Sequence, residues 1–202
     1  MNLAISITCM SDEQWKALFG EERVRHKVTV YNREDFEAWA EKEDSVIGGD
    51  YAIIEIYTGP KGEPVLDPEI IRQHNKTVIA LDFDDFPEDV RFPGSGYQPV
   101  NPTITYKQAE ELVEFIEWNY AMGRDFIIHC DAGVSRSQQV AAYIMLSHWY
   151  EYDKENSTHT HHIPQTIVLS RLLEVRHRTI PAFRDKDNAF KYDEVLHRWV
   201  ER

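Results

Sequence analysis

Cysteine is nearly absent from this chain: Cys9 and Cys130 are the only two in 202 residues. So sparse a usage excludes a disulfide framework and the paired-cysteine spacing of a zinc module, and it fits a reducing compartment. Positive charge is also scarce, with 22 Lys and Arg against 35 Asp and Glu and a formal net charge of −13. The basic residues are scattered, which leaves no broad surface to neutralise a phosphate backbone and excludes nucleic acid as a partner. No run approaches the roughly 18 apolar residues needed to cross a bilayer. Met1 to Cys9 lacks the basic start and long apolar stretch of a secretory signal. The expectation is a cytoplasmic protein with no membrane association. What is present is ordinary for a packed core, 42% hydrophobic and 12% aromatic residues, in a length that suits one domain over residues 1–202.

Periodicity predicts alternating strands and helices. Leu3 to Thr8, Val28 to Tyr31, Tyr51 to Tyr57, Thr77 to Leu81 and Phe126 to Ile128 read as strands. Helical patterns fall between them: around Trp15 to Phe19, from Asn32 through Trp39, after Asp67-Pro68, and from the cap Thr105 to Gly123. Ser137 to Tyr150 reads as a helix buried almost all round, and Thr166 to His177 and Asn188 to Glu201 as two more. This order implies an α/β fold with a central, mostly parallel sheet flanked by helices. Residues 84–102 are rich in Asp, Gly and Pro and form a long loop of the kind that often carries function, whereas the polar stretch from Asp153 to His162 reads as a mobile loop.

The chemistry gathers in His129-Cys130-Asp131-Ala132-Gly133-Val134-Ser135-Arg136-Ser137, between a predicted strand and a predicted helix. A loop opening a helix presents backbone N–H groups together with the positive end of the helix dipole, a ready anion site. The residues from Asp131 to Arg136 would supply it, with Gly133 letting the backbone approach a phosphate closely. The same field favours ionised sulfur, which makes Cys130 a candidate nucleophile. Arg136 carries a planar fork suited to two phosphate oxygens, where a lysine would offer only a point charge. Ser137 is placed to donate to the sulfur. His129 can steady the loop through backbone carbonyls.

These residues match the His-Cys-x2-Gly-x2-Arg-(Ser/Thr) signature of the protein tyrosine phosphatase superfamily, and the chain resembles its small dual-specificity branch over roughly residues 77–201. The resemblance implies a phosphatase acting on phosphorylated proteins or small phosphate esters. Phosphate, sulfate or vanadate would bind in the loop, and no metal or other cofactor is needed. It also implies an upstream aspartate that protonates the leaving group. In Leu81-Asp82-Phe83-Asp84-Asp85 the choice is Asp85, with Asp84 and then Asp82 next, because a slip of one residue exchanges the carboxylate facing the pocket; Asp89 stays open if the loop folds back. A phosphoinositide phosphatase would favour lysines where this loop has Asp131, Ala132, Val134 and Ser135. A non-catalytic phosphate-binding module and an arsenate-reducing or sulfur-transfer protein are the remaining alternatives. His159, His161 and His162 lack the ligands to complete a metal site, and Cys9 reads as a buried thiol.

Overall fold

The computed structural model describes residues 26–42, 47, 49–58, 62–86, 103–148, 150–162, 166–179, 190–193 and 198–201. The expected first strand and first helix, and with them Cys9, lie outside those residues, as do Asp89 and most of the 84–102 segment.

Five strands, β1 (Lys27–Tyr31), β2 (Tyr51–Tyr57), β3 (Val78–Asp82), β4 (Asp125–His129) and β5 (Glu151–Tyr152), form one sheet in the order β3-β2-β4-β1-β5. Every pairing in it is parallel. Parallel strands need crossovers, and the helices supply them: α1 (Arg33–Lys42), α2 (Pro68–Gln73), α3 (Tyr106–Ala121), α4 (Arg136–His148) and α5 (Ile167–Thr179). The period-2 alternation of the strands divides the core into two layers. Val28, Val30, Ala52, Ile54, Ile56, Phe126 and Ile128 face α3, α4 and α5. Ile53, Val78 and Ile127 face the opposite way, toward Phe36 of α1 and the α2 side. The result is a helix–sheet–helix sandwich with β4 at its centre.

Helix starts follow their capping residues. Asn32 Oδ1 accepts from Asp35 N at 2.7 Å, and Asp67 Oδ1 accepts from Glu69 N at 2.7 Å with Pro68 opening α2. Thr105 and Gln108 close a capping box at α3. Gly123 takes a φ of 66° just after that helix.

Three expectations change. Where a helix was expected from Asn188 to Glu201, the described residues are strands: β6 (Phe190–Asp193) and β7 (Arg198–Glu201) pair antiparallel, with Phe190 opposite Glu201 and Tyr192 opposite Trp199. Both segments carry β-favouring aromatic and apolar residues at short spacing, Phe190 and Tyr192 in one and Trp199 and Val200 in the other. In α4, Arg136 through Ile144 are all buried, but Leu146 is 59% exposed, so the burial is not all round at the C-terminal end. The third change concerns residues 153–162. This segment is tied to the free edge of β1 where β5 ends. Asp153 N and Thr158 N donate to Val28 O and Val30 O, each at 2.9 Å. Ser157 Oγ accepts from Val30 N at 2.9 Å and Thr158 Oγ1 from Asn32 N at 3.0 Å. Its hydroxyls continue the sheet's hydrogen bonding after the strand stops, so the segment covers an edge rather than moving freely.

Candidate active site

The carboxyl end of β4, between β1 and β2, is where the chain leaves the sheet and enters α4. An open parallel sheet leaves a crevice for ligands at this kind of position. Strand alternation settles which side chains look where. His129 lies on the α1 face, whereas Cys130, next in line, joins the core layer facing α4 at 2% exposure.

His129 is held more firmly than a backbone carbonyl would hold it. Its Nε2 lies 3.0 Å from Glu55 Oε2 and its ring stacks on Phe36 with centroids 4.1 Å apart. Glu55 is fully buried on β2 directly beside His129 in the sheet register, and its carboxylate also accepts from Val65 N at 2.6 Å and Leu66 N at 3.2 Å. An ionised carboxylate only accepts, so Nε2 carries the proton. Glu55 therefore fixes the residue immediately before Cys130, and the strand pattern alone had marked it only as part of an apolar run.

Cys130 Sγ and Ser137 Oγ are 3.1 Å apart, both buried. With the sulfur ionised, the hydroxyl is the donor. The structure thus brings Ser137 into hydrogen-bond range of the sulfur. Arg136 opens α4 at 8% exposure and its guanidinium turns back over the loop. Nη1 donates to Phe83 O at 3.1 Å and to Thr58 Oγ1, and Nη2 pairs with Asp131 Oδ2 at 2.6 Å. Thr58 Oγ1 in turn donates to Asp131 Oδ2 at 3.3 Å. Burial alone would lower the Arg136 pKa, but the negative charges at Cys130, Asp131 and Asp84 outweigh it and hold the guanidinium above its ordinary value. Asp131, expected only as part of the phosphate cradle, thus offers its side chain to the arginine. Thr58, at the end of β2, was not singled out in the sequence; nothing about a lone threonine before Gly59-Pro60 signals such a contact.

Gly133 has a φ of 69°, and a Cβ there would lie 2.9 Å from Asn32 N and 3.1 Å from the carbonyl group of Tyr31. The close approach that demands glycine is thus to the chain's own β1–α1 junction rather than to a phosphate. Ala132 and Val134 are exposed, Ser135 is half-buried, and Ser135 O receives Gln139 N as the first turn of α4 closes at 2.9 Å.

The candidate acids lie across from this loop. Phe83 N bonds Tyr57 O at 3.1 Å, which carries the β3 pairing one residue past the strand. Asp84 and Asp85 follow, both buried at the 9% level or below, with Asp84 Oδ1 accepting from Asp85 N at 3.1 Å. The charge of Asp84 acts on Arg136, while that of Asp82 acts on Tyr57, whose pKa rises through burial first and then through Asp82 and Glu55. Of the three, Asp84 is thus the one whose charge acts on Arg136, and Asp85 follows it in the chain, buried to the same degree.

No protein-family model matches the chain, and neither does any curated protein. Solved structures that resemble it include two of Tk-PTP. The crystal structure of Tk-PTP in the active form shares 17% identity over 79% of this chain and 82% of that one, with a TM-score of 0.36. Tk-PTP in a mutant form shares 18% identity over 80% and 83% of the two chains, with a TM-score of 0.34. Neither superposition is close enough to carry an argument about this chain, and its chemistry rests on the loop itself.

Two histidines outside the signature approach it, one at the loop and one at the helix that follows. His159 Nε2 lies 3.1 Å from Ala132 O and His161 Nδ1 3.0 Å from Gln138 Oε1. Among the described residues no three His, Cys, Asp or Glu side chains gather as metal ligands, and no helix is long and apolar enough to cross a membrane.

Proposed function

We propose that this protein is a cysteine-dependent phosphatase of the protein tyrosine phosphatase type, acting on phosphomonoesters of proteins. The observation that carries the reading is the pairing of a buried Cys130 sulfur with Ser137 Oγ at 3.1 Å, at the opening of a helix whose first residue is the buried Arg136. Helix dipole, loop N–H groups and guanidinium together favour an anion over the sulfur.

In the first step the Cys130 thiolate attacks phosphorus, the P–O bond to the leaving group breaks, and an aspartic acid gives its proton to the departing oxygen. In the second, water attacks the cysteinyl phosphate, the same carboxylate takes a proton from that water, and sulfur leaves as thiolate under the Ser137 hydrogen bond. Asp85 is assigned as the acid, with Asp84 as the competing choice because its charge already reaches Arg136. The substrates are phosphotyrosine and, in the manner of the dual-specificity branch, phosphoserine and phosphothreonine. The loop carries no lysine, which sets it apart from a lining suited to a phosphoinositide head group. The mechanism asks for no metal.

The test is p-nitrophenyl phosphate turnover in excess chelator. Turnover by wild type that orthovanadate blocks and Cys130→Ser abolishes supports the reading. Equal turnover by Cys130→Ser ends it.

A further inference from the structure

Three successive carbonyls of the Cys130 loop are each held by a donor from outside it. Asp131 O receives Arg33 N at 3.2 Å, Ala132 O lies 3.1 Å from His159 Nε2, and Gly133 O receives Gln138 Nε2 at 3.0 Å. In a trans peptide the C=O and the following N–H point opposite ways. Holding these three oxygens outward therefore turns the N–H groups of Ala132, Gly133 and Val134 inward. Among the described residues, none of those three N–H groups bonds to a protein acceptor. They are donors left for an anion.

Two of the three holds are joined. Gln138 is fully buried and uses every polar atom of its amide. Nε2 donates to Gly133 O and to Tyr152 Oη at 3.0 Å, so Oε1 is left to accept from His161 Nδ1 at 3.0 Å. Tyr152 Oη donates in turn to His159 O at 2.7 Å. The 152–161 segment, fixed to the β1 edge through Ser157 and Thr158, thus reaches the loop directly through His159 and indirectly through Gln138.

We propose that His159 and Gln138 are positioning residues that shape the anion cradle, with the 152–161 segment as the clasp that holds them. The proposal rests on the reading of the loop as an anion site, not on turnover. His159 makes the test because the residue is exposed and, among the described residues, its hydrogen bond to the loop is the one to Ala132 O. Losing one such hold lets a loop peptide rotate away and forfeits one charge-assisted N–H to the anion, worth about tenfold in affinity.

The experiment is calorimetric titration of the full chain with inorganic phosphate, alongside thermal melts. His159→Ala should raise the phosphate Kd about tenfold with Tm unchanged. His159→Gln, whose amide nitrogen can reach the same carbonyl, should restore the Kd to near the wild-type value. Gln138→Met, which keeps the volume, should weaken phosphate binding at least as much. A lowered Tm with an unchanged Kd in His159→Ala would overturn the proposal, as would equal losses in His159→Ala and His159→Gln. Phosphate binding by a wild type that turns over no ester would sink the phosphatase and leave the clasp standing. No phosphate binding by wild type would overturn both.

Discussion

Glu55→Gln removes one charge at constant shape from the centre of the sheet. Three donors converge on that carboxylate: Val65 N and His129 Nε2 on Oε2, and Leu66 N on Oε1. A glutamine has one oxygen for them. The least damaging arrangement keeps its oxygen at the Oε2 position and turns its NH2 toward Leu66 N, so that two donors face each other in a site with no exposure to water. An unpaired buried donor costs about 1–3 kcal/mol, and weakening the two surviving bonds from charge-assisted to neutral adds about 1 kcal/mol. The sum, about 2–4 kcal/mol, corresponds to a fall in Tm of roughly 4–16 °C for a chain of this size. Differential scanning calorimetry measures it directly. A Tm within about 2 °C of wild type would show that the carboxylate is not carrying these bonds, and the account of how His129 is held would fail.

Gly133→Ala forces a positive φ on a residue with a Cβ and drives that atom against the Tyr31–Asn32 backbone. The conformation alone costs about 1–2 kcal/mol and the crowding adds about 1–3, so chemical denaturation should show a loss of at least 2 kcal/mol together with weaker phosphate binding. Asp85→Asn should flatten the pH–rate profile and slow poor leaving groups far more than p-nitrophenol; if Asp84→Asn does this instead, the acid is one residue earlier and the rest of the mechanism stands. Burial, and secondarily the charge of His162, push the His161 pKa below its ordinary value. The fold therefore favours neutral His161: its contribution is complete above the free-imidazole value of about 6.5 and is lost as pH falls through the lower folded value. Tm measured from neutral to acid pH should drop more steeply in wild type than in His161→Gln, and parallel curves would refute that role.

Much of the site was legible because its chemistry is local. Cys130, Arg136 and Ser137 are neighbours along the chain, and a strand running into a helix sets their geometry with little help from elsewhere. The sheet was equally readable: β-branched runs from Tyr51 to Tyr57 and Phe126 to Ile128 are buried on both faces, as central parallel strands are. What escaped was long-range. Glu55 looked like a polar break in an apolar run, yet it meets a histidine 74 residues away. Ser157 and Thr158 looked like loop composition, yet they satisfy β1 atoms more than 120 residues earlier. Thr58 reaches an arginine 78 residues on. Polarity reports only that such residues need partners, while the sheet order decides which partners they meet. The 188–201 segment failed for another reason, since its aromatic and apolar residues fit either period over so short a stretch.

The central claim is that Cys130 takes the phosphoryl group. Rapid acid quench of the protein during p-nitrophenyl phosphate turnover, followed by mass spectrometry of the peptide bearing Cys130, tests it most directly. The account predicts a transient adduct of one phosphoryl group on Cys130 in wild type, longer-lived in Asp85→Asn when the acid is also the base of the second step. Steady turnover with no adduct on Cys130, or an adduct on another residue, would contradict it.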